Sequence, residues 1–201
     1  IAGATYDQSN KYVQMAEGQG YLFAADGVRI QKFDPSDDTV SDLVCKTLGV
    51  VPRRARLIAF WRGRLVAART DESPGLWRMS RAMDFEDWDE FPVEPDIAAA
   101  VTSQTSRAGE GPDAINSIVP MSDDVLWFGC DNSIWALSGD PGAGGVFDSI
   151  TDEIGMAYGQ PWCRDEVGSL WWFSAKGGLY TWNGSISAVG MGAIRRRLRN
   201  V

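Results

Sequence analysis

The 201-residue chain contains no histidine, and this absence removes several kinds of chemistry at once. Histidine is the usual general base near neutral pH, a common zinc ligand and the partner that activates a catalytic serine or cysteine. No GxGxxG, P-loop or GxSxG motif indicates phosphate binding or acyl transfer either. We therefore predict that the protein is not an enzyme and that it holds no cofactor.

Cysteine is also scarce. Cys45, Cys130 and Cys163 make an odd number and lack the CxxC spacing of common metal sites. Their spacing predicts three scattered, buried thiols in a reducing compartment, without a disulfide framework or a metal site. The chain also lacks the run of about 20 apolar residues that a membrane-spanning helix needs, so no such segment is predicted.

Basic residues are outnumbered, with 19 lysines and arginines against 27 acidic residues and a net charge of −8. This balance argues against a simple nucleic-acid-binding protein, because phosphate contacts need clustered basic side chains. One basic cluster follows Ile194, where Ile194 and Leu198 have the spacing of a short amphipathic helix. The cluster consists of Arg195, Arg196, Arg197 and Arg199. It either contacts DNA phosphates or an acidic surface of a partner, or it is a solvated face of the helix.

What the sequence does contain is a repeated phrase rich in aromatic residues. Leu126–Leu137 reads LWFGCDNSIWAL, and Trp171–Trp182 reads WWFSAKGGLYTW. An offset of 45 residues aligns the two phrases and places Trp127 on Trp172. Further copies are read over residues 21–30 and 64–80.

Short strands repeated at this period predict an all-β fold, a β-propeller built of short antiparallel blades. Aromatic residues at equivalent positions would fill the wedge between neighbouring blades. The abrupt ends of the sequence suggest a piece of a longer chain and part of a larger ring. We predict one propeller region over residues 1–201, with approximate blades at 11–54, 55–114, 115–155 and 156–201.

An acidic run lies in the second predicted blade, and residues 92–114 after it read as a long polar connection. Phe85, Trp88 and Phe91 are predicted to be buried between the acidic residues. The run is either a solvated loop or a source of the paired carboxylates that a glycosidase needs. Its carboxylates belong to Asp84, Glu86, Asp87, Asp89, Glu90, Glu94 and Asp96. No loop has the ligand spacing of a calcium site, so no metal is predicted.

Several phrases of this chain resemble those of one family. Gly63–Ala68 is followed by Leu76–Arg81 and Asp84–Trp88, and later by Ile154–Ala157 and Gly168–Ser174. This succession, over about residues 55–190, is similar to the β-propeller nozzle or tubular tail proteins of short-tailed bacteriophages and to related packaged-DNA stabilisation proteins.

The resemblance implies a structural protein of the virion, assembled in the host cytoplasm and located in the phage tail. Such nozzles form a sixfold ring of identical copies whose axial channel retains and then passes double-stranded DNA. Neighbouring tail or adaptor proteins would be the other partners. An acidic lining would keep the phosphate backbone from adhering, and the run between Asp84 and Asp96 is the candidate for it.

Two other functions stay open. A carbohydrate-binding or sialidase-like propeller is suggested by the faint similarity of Ser80–Trp88 to an Asp-box, although Asp84 follows Ser80 by four residues instead of two. Exposed tryptophans on one loop face would favour it. A protein-interaction propeller of the WD or kelch kind ranks last, because the chain lacks their repeated Gly-His, Trp-Asp and paired-glycine signatures.

Overall fold

The computed structural model describes residues 12–106 and 111–189, and these residues form four separate sheets of four strands each. The first sheet contains β1 (Gln14–Gly18), β2 (Tyr21–Ala25), β3 (Ile30–Asp34) and β4 (Thr39–Asp42). The second contains β5 (Leu57–Trp61), β6 (Arg64–Ala68), β7 (Leu76–Met79) and β8 (Val101–Gln104).

The third and fourth sheets have the same organisation. The third contains β9 (Ile115–Ser122), β10 (Val125–Cys130), β11 (Ile134–Ser138) and β12 (Val146–Thr151), with a 3-10 turn over Pro141–Ala143 before its last strand. The fourth contains β13 (Trp162–Arg164), β14 (Leu170–Phe173), β15 (Leu179–Trp182) and β16 (Ile186–Val189). The all-β prediction is confirmed, and one sheet lies within each of the four predicted blade ranges.

Each sheet is an antiparallel meander whose strands are paired in chain order. The start of the first strand and the turn between the second and third strands therefore lie at the same end of the sheet. We call this the entry end, and we call the opposite end, where the other two connections lie, the far end. β1 lies beside β5, and β5 lies beside β9. The first strands of the first three sheets thus form a row. No helix of the described residues is long and apolar enough to span a membrane.

The hydrophobic core consists of three clusters, and each lies between two consecutive sheets. Phe23 of the first sheet packs with Leu65 of the second. Trp77 of the second sheet stacks on Phe128 of the third, with ring centroids 5.1 Å apart. Burial of such apolar surface stabilises the fold by about 25 cal/mol for each Å² removed from water. The core therefore fixes the sheets in sequential, face-to-face order.

The predicted alignment of the aromatic repeat is wrong by one residue on its first strand. In the third sheet the last pair before the β10–β11 turn is Gly129 with Ile134, whereas in the fourth it is Phe173 with Leu179. The second turn is thus one residue longer. Since neighbouring residues of a strand face opposite sides, this shift changes which tryptophans correspond. Trp127 corresponds to Trp171, and Phe128 corresponds to Trp172.

Other local predictions are also corrected. Residues 92–114 are not one unstructured connection, because they contain β8. Phe85 and Trp88 are buried as predicted, but Phe91 is 88% exposed. In the first sheet, β3 begins only at Ile30, because the Asp26 carboxylate accepts the N–H groups of residues 28 and 29 at 2.8 Å and holds them in the preceding turn.

Candidate functional site

The acidic run lies at the far end of the second sheet, in the connection between β7 and β8. Phe85 and Trp88 anchor it in the core between the first two sheets. β7 and β8 are the third and fourth strands of their sheet, so the run leaves the sheet away from the row formed by the first strands. Its predicted role in lining a channel stays a prediction.

Most carboxylates of the run have partners within the protein. Asp87 and Asp96 both form ion pairs with Arg81, the former at 3.6 Å. Asp84 and Asp89 each accept the backbone N–H of the residue two positions later, at 3.0 Å. Glu90 lies 3.7 Å from Arg78, and Glu94 is exposed. The run is therefore a folded loop that its own carboxylates help to shape.

Glu86 has the most developed surroundings of these carboxylates. Its side chain is 12% exposed and pairs with Lys32 at 2.7 Å and also with Lys46. Burial alone would raise the pKa of the Glu86 carboxyl, but the hydrogen bonds and charges of the two lysines lower it below its ordinary value of 4.5. Glu86 thus ties the acidic run to the first sheet and to the segment that follows it.

We predict that Glu86→Gln lowers stability by about 1 kcal/mol near neutral pH, because the ion pairs are lost. A carboxyl with a depressed pKa in the folded state stabilises above its unfolded pKa and loses this contribution as pH falls through the folded value. The difference between wild type and variant should therefore shrink below about pH 4.5. Urea titrations of both proteins at a series of pH values measure it; a difference that does not depend on pH would contradict the assignment.

A buried arginine holds the far part of the same loop. The Arg64 side chain is 1% exposed, and its guanidinium donates to the carbonyl oxygens of Ser80, Ile97 and Ala99 at 3.0, 3.1 and 2.6 Å. Burial is the largest influence on the Arg64 pKa and lowers it, while the nearby Asp140 carboxylate opposes this effect. The Arg64 guanidinium therefore holds the backbone of the loop in place instead of binding a ligand.

The remaining predicted residues include a basic cluster and three thiols. Arg195, Arg196, Arg197 and Arg199 and their helix lie outside the described residues, so their role stays a prediction. The three thiols are not all buried, since Cys163 is exposed and Cys45 is intermediate. Burial raises the pKa of the Cys130 thiol to about 12, which makes it unreactive. In the described ranges, no three His, Cys, Asp or Glu side chains are grouped so that they could hold a metal.

At the entry end, side chains from several sheets meet in one cluster that the sequence did not predict. Arg69, just after β6, donates to the Ile115 carbonyl oxygen at 3.1 Å and to the amide oxygen of Asn116, at the start of β9. Asn116 in turn donates to the Asp131 carboxylate at 2.6 Å. The guanidinium of Arg69 lies 4.9 Å from the ring centroid of Tyr158. We call Arg69, Asn116 and Tyr158 the entry-end cluster.

The entry-end cluster also reaches the first sheet. The Tyr12 ring lies edge-on to Tyr158, with centroids 5.3 Å apart. Burial raises the pKa of the Tyr158 hydroxyl, against the lowering influence of Arg69 and Arg56. Both phenols are therefore neutral hydrogen-bonding groups near physiological pH. The sequence signal of this cluster is an arginine directly after a strand.

Two features bear on carbohydrate binding. None of the nine tryptophans is exposed: six are buried and three are intermediate, so no open tryptophan platform is present in the described ranges. A cavity of about 460 Å³ opens at the entry end of the third sheet, lined by the Asp113 and Asp152 carboxylates, Asn132 and Trp135 among others. Trp135 is only 8% exposed. The cavity is polar.

Solved structures of other proteins share this fold. The extracellular domain of BT4673 from B. thetaiotaomicron is 10% identical over 90% of the chain, with a TM-score of 0.59. YCF48 bound to a D1 peptide is 12% identical over 86%, with a TM-score of 0.59. Hsv2 from Kluyveromyces lactis is 13% identical over 86%, with a TM-score of 0.52.

The chain spans 22% of the BT4673 chain, 51% of the YCF48 chain and 50% of the Hsv2 chain. No family model matches the chain, and no curated protein matches it. At these low identities the structural likeness shows the β-propeller fold alone.

Proposed function

We propose that the four sheets are consecutive blades of a larger propeller ring and that the protein is a structural, non-catalytic component of a tail conduit in a short-tailed bacteriophage. The three cores between consecutive sheets support the blade order. A chain that spans about half of two similar proteins supports a ring of more than four blades. The phage assignment rests on the sequence resemblance.

The observation that carries the ring is the pair of uncovered apolar faces on the outermost sheets. On the first sheet, Leu22, Phe33 and Val40 are directly paired and thus share the face turned away from the second sheet. Met15, on the same face, is 56% exposed. Apolar surface of this kind is typical of an unfilled interface.

The fourth sheet has a matching face. Phe173, Leu179 and Val189 are directly paired and point away from the third sheet, and Phe173 is 48% exposed. Trp171 lies on the same face. Further blades, supplied by other copies of the chain or by more of the same polypeptide, would cover both faces.

In such a conduit the acidic run belongs to a rim at the far end. The net charge of −8 would keep passing DNA from adhering to the ring, and Glu94 is the carboxylate of the run most open to solvent. Other copies of the protein and neighbouring tail or adaptor proteins are the partners, the virion tail is the location, and DNA passes only transiently.

The native mass tests this proposal. Light scattering of the purified protein should give the mass of a closed ring of several copies, and negative-stain images should show a central hole. A monomer without a hole would contradict the conduit. Such a monomer would instead favour a propeller that acts alone and binds small ligands.

The second candidate is a carbohydrate-binding propeller, and the polar cavity beside Asp113 is the observation that favours it. Its carboxylates and the Asn132 amide could bind sugar hydroxyls, although Asp113 already accepts the Asn132 N–H at 2.9 Å and the Ser133 hydroxyl at 2.8 Å. Neutral sugars soaked into crystals at millimolar concentration would occupy this cavity if the candidate is correct. An empty cavity would remove its support.

A further inference from the structure

A second entry-end cavity, of about 350 Å³, has the chemistry of an anion site. Three arginines line it, together with Thr70, one carboxylate and Pro74, and the arginines are Arg54, Arg56 and Arg69. The carboxylate is that of Asp71, so the guanidinium groups outnumber the acidic groups. In a chain with an excess of acidic residues, this concentration of positive charge is not explained by composition.

The backbone around the cavity is held in place by continuation of the β5–β6 hairpin. The Arg56 N–H donates to the Ala68 carbonyl oxygen at 3.3 Å, and the Asp71 N–H donates to the Arg53 carbonyl oxygen at 3.4 Å. Ala55, between two of the cavity arginines, is completely buried. Arg54 and Arg56 therefore extend from an anchored segment, beside the segment that carries Arg69 and Thr70.

The charges of the cavity are only partly used within the protein. Arg69 is positioned by its bonds to Ile115 and Asn116. Arg54 and Arg56, by contrast, have no ion pair with any residue in the ranges 12–106 and 111–189. One positioned and two available guanidinium groups suit a ligand with several anionic oxygens, because the planar fork of arginine binds carboxylate and phosphate oxygens in pairs.

An independent observation points to a ligand in the same place. Thr70 is 8% exposed, and its hydroxyl has no hydrogen-bond partner among the described residues. A buried hydroxyl without a partner is energetically costly, so such groups are normally satisfied. Thr70 lines the cavity, where an anionic oxygen would accept its hydrogen bond.

We propose that this cavity binds the carboxylate or phosphate group of a small ligand, the size of a monosaccharide or smaller. Arg54 and Arg56 would bind the anionic group, Arg69 would contribute fixed positive charge, and the Thr70 hydroxyl would donate to one of its oxygens. A volume near 350 Å³ is at the lower end of known ligand sites, which are roughly 300–1,000 Å³. This site is independent of the number of blades in a ring.

Calorimetric or NMR titration with three probes tests the proposal: glucuronate, glucose 1-phosphate and glucose. We expect at least one of the two anions to bind at millimolar concentration and glucose not to bind. The stronger anion identifies the carboxylate or the phosphate as the natural group. Equal binding of glucose, or no binding of either anion, would overturn the proposal.

Variants locate the binding. Arg56→Gln should weaken binding of the anion by about tenfold or more, since hydrogen bonds to charged groups are strong. Arg53→Gln changes the net charge equally but lies in a neighbouring cavity, and it should leave the affinity unchanged. Equal losses in the two variants would mean general charge attraction and would refute the site.

Thr70→Val tests whether the Thr70 hydroxyl binds the ligand or has only a structural role. The substitution keeps the shape of the side chain and removes the unpartnered hydroxyl, so the ligand-free protein should be as stable as wild type or more stable. Binding of the anion should nevertheless weaken several-fold. Unchanged affinity in this variant would exclude Thr70 from the site.

Discussion

Replacement of Arg64 by alanine should destabilise the protein by about 3–5 kcal/mol, as expected for removal of a buried charge from its partners. Three backbone carbonyl oxygens, those of Ser80, Ile97 and Ala99, would lose their donor inside the protein. Unsatisfied buried acceptors are costly, and the connection between β7 and β8 would lose its attachment to the second sheet. Urea unfolding measures the loss, and hydrogen exchange should increase first in residues 80–100.

The neighbouring Arg62 provides a matched control for this prediction. It is exposed, and it pairs with Asp124 at 2.7 Å across the far ends of the second and third sheets. Surface pairs contribute about 1 kcal/mol or less, so Arg62→Ala should have a small effect. If the two variants were equally stable, the anchoring role of Arg64 would be wrong.

Replacement of Gly155 by alanine should cost about 3 kcal/mol, at the upper end of what overpacking usually costs. A Cβ atom at this position would lie 2.1 Å from the Cys130 carbonyl oxygen and 2.3 Å from that of Asp131. These are backbone atoms, which cannot rotate away as a side chain can. The segment leading to the fourth sheet would have to move, and Tyr158 with it.

Gly111→Ala is the control for Gly155→Ala. A Cβ atom there meets no described residue within 4 Å, and the backbone does not have the positive φ that favours glycine. This substitution should be neutral or slightly stabilising, because alanine restricts the unfolded chain. Thermal unfolding compares the two variants. Similar melting temperatures for both would show that the segment carrying Tyr158 does not pass so close to Cys130.

The sequence predicted the all-β fold class because short repeated strands are a local pattern. Each copy of the aromatic repeat is read within a short segment, such as Leu126–Leu137. The outermost strand β8 was missed because Val101–Gln104 reads VTSQ and has a single apolar side chain, Val101, to pack against the core. The alignment of the aromatic repeat was wrong because one turn is a residue longer. A shift of one position exchanges the two faces of a strand.

The entry-end residues could not be predicted from spacing. Arg69, Asn116 and Tyr158 belong to different sheets or to the segments between them, and only the packing of those sheets brings them together. Similarly, the anion cavity forms because the segment carrying Arg54 and Arg56 lies beside the one carrying Arg69 and Thr70. The acidic run attracted attention as a charge pattern, yet most of its carboxylates bind neighbouring groups. The sequence shows how many charged residues are present, but only the structure shows which of them are paired.

Oxidative footprinting tests the central claim, that these sheets are consecutive blades of a larger ring, most directly. Met15 is 56% exposed on the uncovered face of the first sheet, whereas Met83 is 73% exposed in a loop and serves as the internal control. In the native protein, hydroxyl radicals should oxidise Met83 rapidly and Met15 slowly, and unfolding in denaturant should make Met15 as reactive as Met83. Equal oxidation of Met15 and Met83 in the native particle would contradict the ring.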